Sequence, residues 1–100
     1  MTLYVKPVSP GEILLEEFIK PLGLSQAAVA RGLRVPPTRV SEIIAGKRVI
    51  TPETALRLEA MFGWPAEYWL RNQVEFDLDR ERGKRGEKIK AEVKRVSKTA

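Results

Sequence analysis

One short segment in the first half of this 100-residue chain carries polar side chains of mixed hydrogen-bonding type. They are Thr38, Arg39, Ser41 and Glu42. A guanidinium donates, a carboxylate accepts and a hydroxyl does both, so together they suit the varied edges of nucleic-acid bases and the neighbouring phosphates. Within the same segment Val40, Ile43 and Ile44 recur at helical spacing, which predicts a helix that buries them and turns the polar set outward.

A second short helix precedes this one and has to hold it in place. Ser25 is a favoured N-cap residue, and we expect the helix to begin near Gln26. Its predicted inward face consists of Ala27, Val29, Ala30 and Leu33. The two alanines would let the helices approach closely. The polar helix should begin at Pro36 or Pro37, because proline is tolerated in a first turn, and end at Gly46 in a left-handed conformation. Two short helices joined by a tight turn form a helix-turn-helix.

Three further helices complete the predicted fold. The first opens with Ser9 as N-cap and Glu12 three residues later, and it ends at Pro21 and Gly23, where Leu22 would pack over the core. Its apolar face comprises Leu14, Leu15, Phe18 and Ile19. The fourth opens at Thr51-Pro52, ends at Gly63 and buries Ala55, Leu58, Met61 and Phe62. The fifth opens at Pro65. The predicted class is therefore an all-α, five-helix domain.

The fifth helix has more apolar residues than one stripe can hold. Trp69 and Phe76 share one face, whereas Leu70, Val74 and Leu78 define a second face. The first face can complete the core of the monomer. The second predicts a twofold homodimer, in which the same patch covers itself. The alternative is that both faces are buried within one domain.

The C-terminal region differs in composition from the rest. We expect an N-terminal arm over residues 1–8, a domain over 9–82 and a basic tail over 83–100. Gly83 and Gly86 predict a break in the fifth helix, after which Ile89, Val93 and Val96 recur at weakly amphipathic spacing. The tail is expected to be either flexible or weakly helical.

The composition narrows the possible functions. With no Cys and no His, the chain has neither disulfides nor thiolate or imidazole metal ligands. No Gly-rich phosphate loop or Ser-Lys pair stands at motif spacing, so we expect no enzyme activity, no metal and no cofactor. No apolar run approaches the ~20 residues of a membrane span, and we expect a cytoplasmic protein without a membrane partner.

The charges are unevenly distributed. Residues 1–78 contain nine Lys or Arg and nine Asp or Glu, whereas residues 79–100 contain nine and four, so the formal +5 lies entirely in the C-terminal stretch. Within the neutral part, basic residues concentrate in and just after the helix-turn-helix. They are Arg31, Arg34, Arg39, Lys47 and Arg48. The acidic residues Glu12, Glu16 and Glu17 cluster on the first helix. This polarity predicts a basic face for phosphates, although ordinary solvated surface charge is the alternative.

The helix-turn-helix resembles that of lambda-repressor-like, or Xre-type, regulators. The resemblance lies in Ser25-Gln26, Val29-Ala30, the run from Val35 to Ile43, and Gly46-Lys47. The flanks, with Pro10-Gly11-Glu12 before the motif and Tyr68-Trp69-Leu70 after it, are similar to those of HigA-type antitoxins from bacterial toxin-antitoxin operons. The resemblance covers roughly residues 9–80.

The resemblance implies two activities. A HigA-type antitoxin neutralises a RelE-like, mRNA-cleaving toxin and represses the shared operon by binding double-stranded operator DNA. Glu12, Glu16 and Glu17 are a candidate docking surface for such a basic toxin. The alternative is a stand-alone Xre-type repressor with no toxin partner.

Candidate DNA contacts follow from position. In Xre-type regulators the glutamine that matches Gln26 directs its amide to the DNA backbone, so the resemblance implies a phosphate contact or, less often, a base contact for Gln26. Pro37 opens the polar helix, Thr38 suits a thymine methyl or a phosphate, and Arg39 suits a guanine or, alternatively, a phosphate or solvent. Ser41 and Glu42 lie further along the exposed face. Glu42 can accept from cytosine or orient Arg39. Lys47 and Arg48 are expected to bind phosphates.

The turn between the two helices departs from the family pattern. Xre-type sequences usually have glycine where this chain has Arg34, and Gly32 stands two residues earlier. A left-handed conformation costs a non-glycine residue about 1 kcal/mol or more. Either the turn is rearranged or the chain tolerates the strain.

Overall fold

The first helix, α1, begins where the sequence predicts. In the computed structural model, which describes residues 6–97, Ser9 Oγ accepts a hydrogen bond from Glu12 N at 3.2 Å. The part of the expected N-terminal arm before Lys6 lies outside the described residues. Helix α1 starts as an α-helix, Pro10–Ile13, and continues as a π-helix, Leu14–Ile19. The wider π turn brings Leu14 and Ile19, five residues apart, to the same side, and both are buried.

Helices α2 and α3 form the predicted helix-turn-helix. Helix α2 spans Gln26–Leu33, and its N-cap Ser25 accepts from Ala28 N at 3.0 Å. Helix α3 spans Pro37–Ile44 with Pro36 as its N-cap, so the proline in the first turn costs no hydrogen bond. Gly46 follows α3 with φ +76°, the left-handed conformation expected of it.

Helices α4 and α5 complete the fold. Helix α4 spans Pro52–Phe62, capped by Thr51 and ended by Gly63 at φ +88°. Helix α5 spans Ala66–Glu92 and begins directly after Pro65. All regular elements between residues 6 and 97 are helices, which confirms the all-α class. None of the helices in this part of the chain is both long and apolar enough to span a membrane.

The core lies where all five helices meet. Trp69, Leu14, Leu58, Val29 and Val40 are its largest fully buried side chains. The aromatic side is built around Phe18, whose ring centroid lies 4.5 Å from that of Trp64, 4.8 Å from that of Phe62 and 5.5 Å from that of Trp69. This cluster joins α1 to α4 and α5, and Val40 and Ile43 of α3 are buried in the same core.

Two predictions about packing are wrong. Leu22 is 60% exposed, because it lies in the turn after α1, and Leu24 packs against the core instead. Ala27 is also exposed. The buried stripe of α2 consists of Val29, Ala30 and Leu33, and a residue two positions before Val29 points to the opposite side of an α-helix.

The predicted break at Gly83 and Gly86 is also wrong. Helix α5 runs through both glycines to Glu92. A glycine inside a helix costs only about 1 kcal/mol, and ion pairs one turn apart offset part of that cost. Arg85 lies 3.7 Å from Glu81, and Lys88 lies 4.0 Å from Glu92.

Close backbone packing fixes α3 against α1. A Cβ at Gly11 would collide with the carbonyl oxygen of Ile43 near the end of α3. Only glycine permits this approach, so the position of the helix-turn-helix depends on a residue near the start of α1.

Candidate nucleic-acid interface

The predicted DNA-contacting residues lie on the outer side of the helix-turn-helix. Gln26, at the start of α2, is exposed. On α3 and the following loop the exposed members are Pro37, Thr38, Ser41, Lys47 and Arg48, whereas Arg39 and Glu42 are partly buried. Val40 and Ile43 are buried beneath them, as the helical spacing predicts. The structure thus leaves Thr38 and Ser41 of α3 exposed and Arg39 and Glu42 partly accessible beside them.

The turn that aims α3 has the strained geometry anticipated for it. Arg34 has φ 59° and ψ 48°, and it is the single non-glycine residue in the left-handed region between residues 6 and 97. Its neighbour Val35 donates to Ala30 O at 3.1 Å, which closes the end of α2. The chain therefore makes a tight left-handed turn and tolerates the strain, with the Arg34 side chain exposed to solvent.

A chain of ionic hydrogen bonds holds Arg39. Its Nη1 donates to Glu53 Oε1 at 3.1 Å, and the other carboxylate oxygen, Oε2, accepts from Arg57 Nη2 at 3.4 Å. Arg57 Nη1 in turn donates to the carbonyl oxygen of Leu33 at 3.0 Å. The guanidinium of Arg39 is thereby connected, through α4, to the last residue of α2.

The sequence did not indicate this connection. Glu53 lies fourteen positions after Arg39, and neither Glu53 nor Arg57 was among the predicted site residues. The one available signal was the location of Glu53 in the first turn of α4, where a carboxylate is favoured by the helix dipole.

Glu42 does not orient Arg39. Its Oε1 accepts from Arg48 Nε at 3.0 Å, so it holds the loop after α3 instead. The reason is geometric: Arg39 is already bound to Glu53, and the chain returns after α3 so that Arg48 reaches Glu42. Arg48 remains about half exposed and keeps further donors for a phosphate.

The hydroxyl group of Ser41 has a defined polarity. Ser41 Oγ donates to the carbonyl oxygen of Thr38 at 3.1 Å. With its proton used, the oxygen can still accept, and amino groups of adenine and cytosine are the donors in the major groove. A phosphate offers only acceptors, so Ser41 in this conformation suits a base rather than the backbone.

The remaining predicted residues lie on other faces. Glu12, Glu16 and Glu17 are exposed on α1, and Lys20 Nζ binds Glu16 Oε1 at 2.9 Å. On α5, Val74 and Leu78 are 54% and 45% exposed. Leu70 packs partly against the core, and Trp69 is buried, as predicted for the opposite face.

Comparisons with known proteins match both the fold and the motif. A family model described as "Helix-turn-helix" matches residues 15–69. Virulence-associated protein I of Dichelobacter nodosus is 51% identical over 71 residues, which are 71% of this chain and 66% of that protein. Antitoxin HigA-1 of Vibrio cholerae is 40% identical over 73 residues, covering 73% of this chain and 69% of that protein.

Solved structures of an antitoxin have the same fold as this chain. The antitoxin GraA superposes with a TM-score of 0.89 at 38% identity, covering 93% of this chain and all of GraA. GraA in complex with its operator gives a TM-score of 0.87 at 36% identity, over 98% of this chain and 99% of that one. The likeness extends over the long last helix as well as the helix-turn-helix.

Proposed function

We propose that this chain, which belongs to the helix-turn-helix family in the branch of the HigA-type antitoxins, represses its own operon as an operator-bound homodimer and neutralises a RelE-like, mRNA-cleaving toxin. Members of this family are DNA-binding regulators rather than enzymes. The observation that carries the DNA-binding part is the accessible polar surface of α3, aimed by the left-handed turn at Arg34.

The chemistry of this surface supports base recognition flanked by phosphate contacts. Arg39 and Ser41 offer donors and an acceptor to base edges, while Lys47 and Arg48 lie in the loop directly after α3. Gln26, at the start of α2, stands where a phosphate meets a helix N-terminus. The operator-bound structure of GraA shows that a protein with this fold binds DNA.

The first test removes the candidate base contact. Arg39→Ala should weaken binding to the chain's own promoter fragment by on the order of tenfold or more, because a bidentate arginine contributes about 1–3 kcal/mol of discrimination. Fluorescence anisotropy at fixed salt measures the affinity, and circular dichroism checks that the helices are retained. Lys20→Ala removes the same charge from α1 and should have little effect. Unchanged affinity of Arg39→Ala would remove this residue from the recognition surface.

The toxin-binding part rests on the acidic side of the molecule. A groove between the segment before α1, α1 itself and α5 is lined by four carboxylates, one lysine and several apolar side chains, namely Glu12, Glu16, Glu17, Glu75, Lys6, Pro7, Val8 and Ile13. Asn72 Nδ2 donates to Val8 O at 2.9 Å and ties the segment to α5. The net negative charge of this groove, beside its apolar side chains, suits a basic protein partner.

The second test examines this surface. An open reading frame adjacent to the gene, encoding a basic protein of about 90–100 residues, would supply the candidate toxin. Glu12→Gln/Glu17→Gln should weaken capture of that protein about tenfold or more while operator affinity is retained. The control Glu67→Gln/Glu87→Gln makes the same change of charge at exposed sites elsewhere on the chain. Equal capture by both variants would place the toxin on another face.

A stand-alone repressor is the second candidate function. It shares the DNA-binding surface and differs in having no toxin. Absence of an adjacent toxin gene, together with promoter binding that Arg39→Ala weakens, would favour it.

A further inference from the structure

A pocket with a basic lining lies between the loop after α3 and the middle of α5. It has a volume of about 130 Å³, opens to solvent and is closed on its third side by the start of α1. Three cationic side chains line it, two from the loop and one from α5, namely Lys47, Arg48 and Arg80. Together with Asp77, the lining residues carry three positive charges and one negative charge, a formal net charge of +2. This basic pocket therefore attracts anions.

The guanidinium of Arg80 is held in place and still has donors to offer. Its Cζ lies 5.3 Å from the centroid of the Phe76 ring, which is a cation–π distance. Its Nη2 lies 3.9 Å from Asp77 Oδ1, which is too far for a hydrogen bond. The side chain is 52% exposed. Since a guanidinium has five N–H donors, Arg80 can bind an acceptor that enters the pocket.

Gln73 fixes the loop after α3 against α5. Its Oε1 accepts from Ile50 N at 2.8 Å, and its Nε2 donates to both carboxylate oxygens of Asp77 at 3.1 Å. These hydrogen bonds are partly buried, so water competes with them less than at the surface. They connect Ile50, which closely follows Lys47 and Arg48, to the turn of α5 that carries Arg80. The three cations therefore belong to one fixed arrangement rather than to independent segments.

The two cations of the loop also have donors to offer. Arg48 uses Nε for Glu42 and is 48% exposed, so its two Nη groups remain for another acceptor. Lys47 is exposed and takes part in none of the ion pairs found among residues 6–97. Guanidinium and ammonium groups only donate, and a phosphate only accepts. The chemistry of the basic pocket thus matches a phosphate group.

We propose that the basic pocket holds a phosphate of the DNA backbone, and that Arg80 contacts this phosphate from outside the helix-turn-helix. The inference deepens the proposed operator binding and rests on it. It adds α5 to the DNA-binding surface, which the sequence pattern confined to α2, α3 and the loop after α3. Because phosphate contacts fix the orientation of a protein on DNA, Arg80 would help to hold α3 in its groove without reading a base.

A backbone phosphate fits the basic pocket better than a free ion does. All three cations are about half exposed or more, so water competes for each of them. A free ion would have to overcome that competition alone. A backbone phosphate is instead delivered at high effective concentration, because α3 directly precedes Lys47 and Arg48 and binds the same DNA.

The first test removes the charge that α5 contributes. Arg80→Gln should weaken binding to the promoter fragment and to random DNA by the same factor, about threefold or more at about 0.1 M salt. The slope of log affinity against log salt should fall by about 0.9, the value for one phosphate. Arg71→Gln is the matched control, because Arg71 is exposed on the same helix two and a half turns earlier and hence on the opposite side. An unchanged slope for Arg80→Gln would overturn the proposal.

Ethylation interference locates the contact on the DNA. Ethylation removes the charge of single phosphates, and a modified phosphate that blocks binding is one that the protein contacts. With Arg80→Gln, interference should disappear at one phosphate position per bound copy, beside the position lost with Lys47→Gln. Arg71→Gln should reproduce the wild-type pattern, and circular dichroism should show the same helix content in all variants. If Arg80→Gln also gave the wild-type pattern, the assignment of Arg80 would be wrong.

A substitution of opposite sign gives an independent measurement. Asp77→Asn removes the negative charge of the basic pocket while its side-chain oxygen can still accept from Gln73. Affinity for both DNA fragments should rise about two- to fivefold at low salt. Asp79→Asn makes the same change two positions later, on the opposite side of α5, and its effect should be smaller. Equal effects of the two variants would attribute the gain to net charge and count against the pocket.

A small-anion site would give a different set of results. Saturable shifts of the loop amide NMR signals at submillimolar inorganic phosphate, together with an unchanged ethylation pattern for Arg80→Gln, would overturn the DNA contact. Failure of the proposed function is also distinguishable. Wild-type protein that does not bind the promoter would overturn both proposals, whereas binding that Arg39→Ala weakens and Arg80→Gln leaves unchanged would overturn the pocket alone.

Discussion

The carboxylate of Glu53 is shared by two guanidinium groups that belong to different helices. One oxygen binds Arg39 of α3 and the other binds Arg57 of α4, so rotation of the carboxylate toward one partner weakens its bond to the other. Each pair is partly exposed and individually weak. We propose that they restrict the conformations of Arg39 before DNA binds, which would reduce the ordering cost of a specific contact.

Glu53→Gln should therefore have effects of opposite sign on two kinds of DNA. Removal of a negative charge near the interface should strengthen binding to random DNA slightly. Binding to the operator should weaken, because Arg39 is less well oriented, so the operator-to-random affinity ratio should fall about three- to tenfold. In the Arg39→Ala background the same substitution should leave the ratio unchanged.

Anisotropy titrations of both DNA fragments at one salt concentration give this ratio. Glu16→Gln is the matched control, since it breaks an exposed ion pair with Lys20 on α1. A uniform increase in affinity for both fragments would show that Glu53 acts only through its charge.

The sequence predicted the roles of residues whose partners lie only a few positions away along the chain. Ser9, Ser25 and Thr51 each cap the helix that follows them, because the hydrogen bond joins residues three positions apart. The pairing of Arg39 with Glu53 depends instead on how α4 packs beside α3. Sequence periodicity predicts which face of a helix is polar, but not which side chains of two helices meet across the gap.

At the scale of elements, the turn between α2 and α3 is the clearest case of a local conflict settled by tertiary structure. Glycine is the residue that best suits φ 59°, yet the chain has Arg34 there and makes the same turn. The buried residues Leu33 and Val40 on either side hold the two helices together. Their packing offsets the strain, whereas the strain itself was predictable from the sequence pattern.

Substitution of Arg34 should reveal this strain. Arg34→Gly should raise the free energy of unfolding by about 0.5–1 kcal/mol, since relief of about 1–2 kcal/mol is partly offset by the greater freedom of glycine in the unfolded chain. Thermal denaturation should show a Tm higher by roughly 2–8 °C. Arg34→Ala removes the same side chain but keeps the Cβ, so its Tm should stay close to that of the wild type. A similar rise for both variants would attribute the gain to loss of the charge.

Helix α5 shows why element ends are harder to predict than caps. Gly83 and Gly86 lower helix propensity locally, but the helix continues through them, and residues on both sides form weak ion pairs one turn apart. The sequence showed the apolar residues of this region. It did not show that they lie on one uninterrupted helix, and that continuity gives Leu78 and Ile89 a common face.

At the scale of the whole molecule, three surfaces lie on different sides and differ in charge. The polar face of α3 points away from the core, the acidic residues of α1 lie on another side, and the stretch from residue 79 onward, partly in α5 and partly beyond it, carries the excess positive charge. The body up to residue 78 is formally neutral, so the attraction of the chain to DNA at long range comes from the C-terminal stretch. We therefore expect sequence specificity to depend mainly on the helix-turn-helix, and long-range attraction to DNA mainly on the C-terminal stretch.

Neutralising the exposed residues beyond α5 should separate these contributions. Lys94→Gln/Arg95→Gln should weaken binding to operator and random DNA by the same factor and leave their ratio unchanged, since phosphate contacts carry no sequence information. The slope of log affinity against log salt should fall by about 0.9 for each phosphate that the variant no longer neutralises. Arg39→Ala should do the reverse and change the ratio more than the slope. If the double variant altered the ratio, the segment after α5 would contact bases or the dimer rather than phosphates, and light scattering of the same variant would decide between the two.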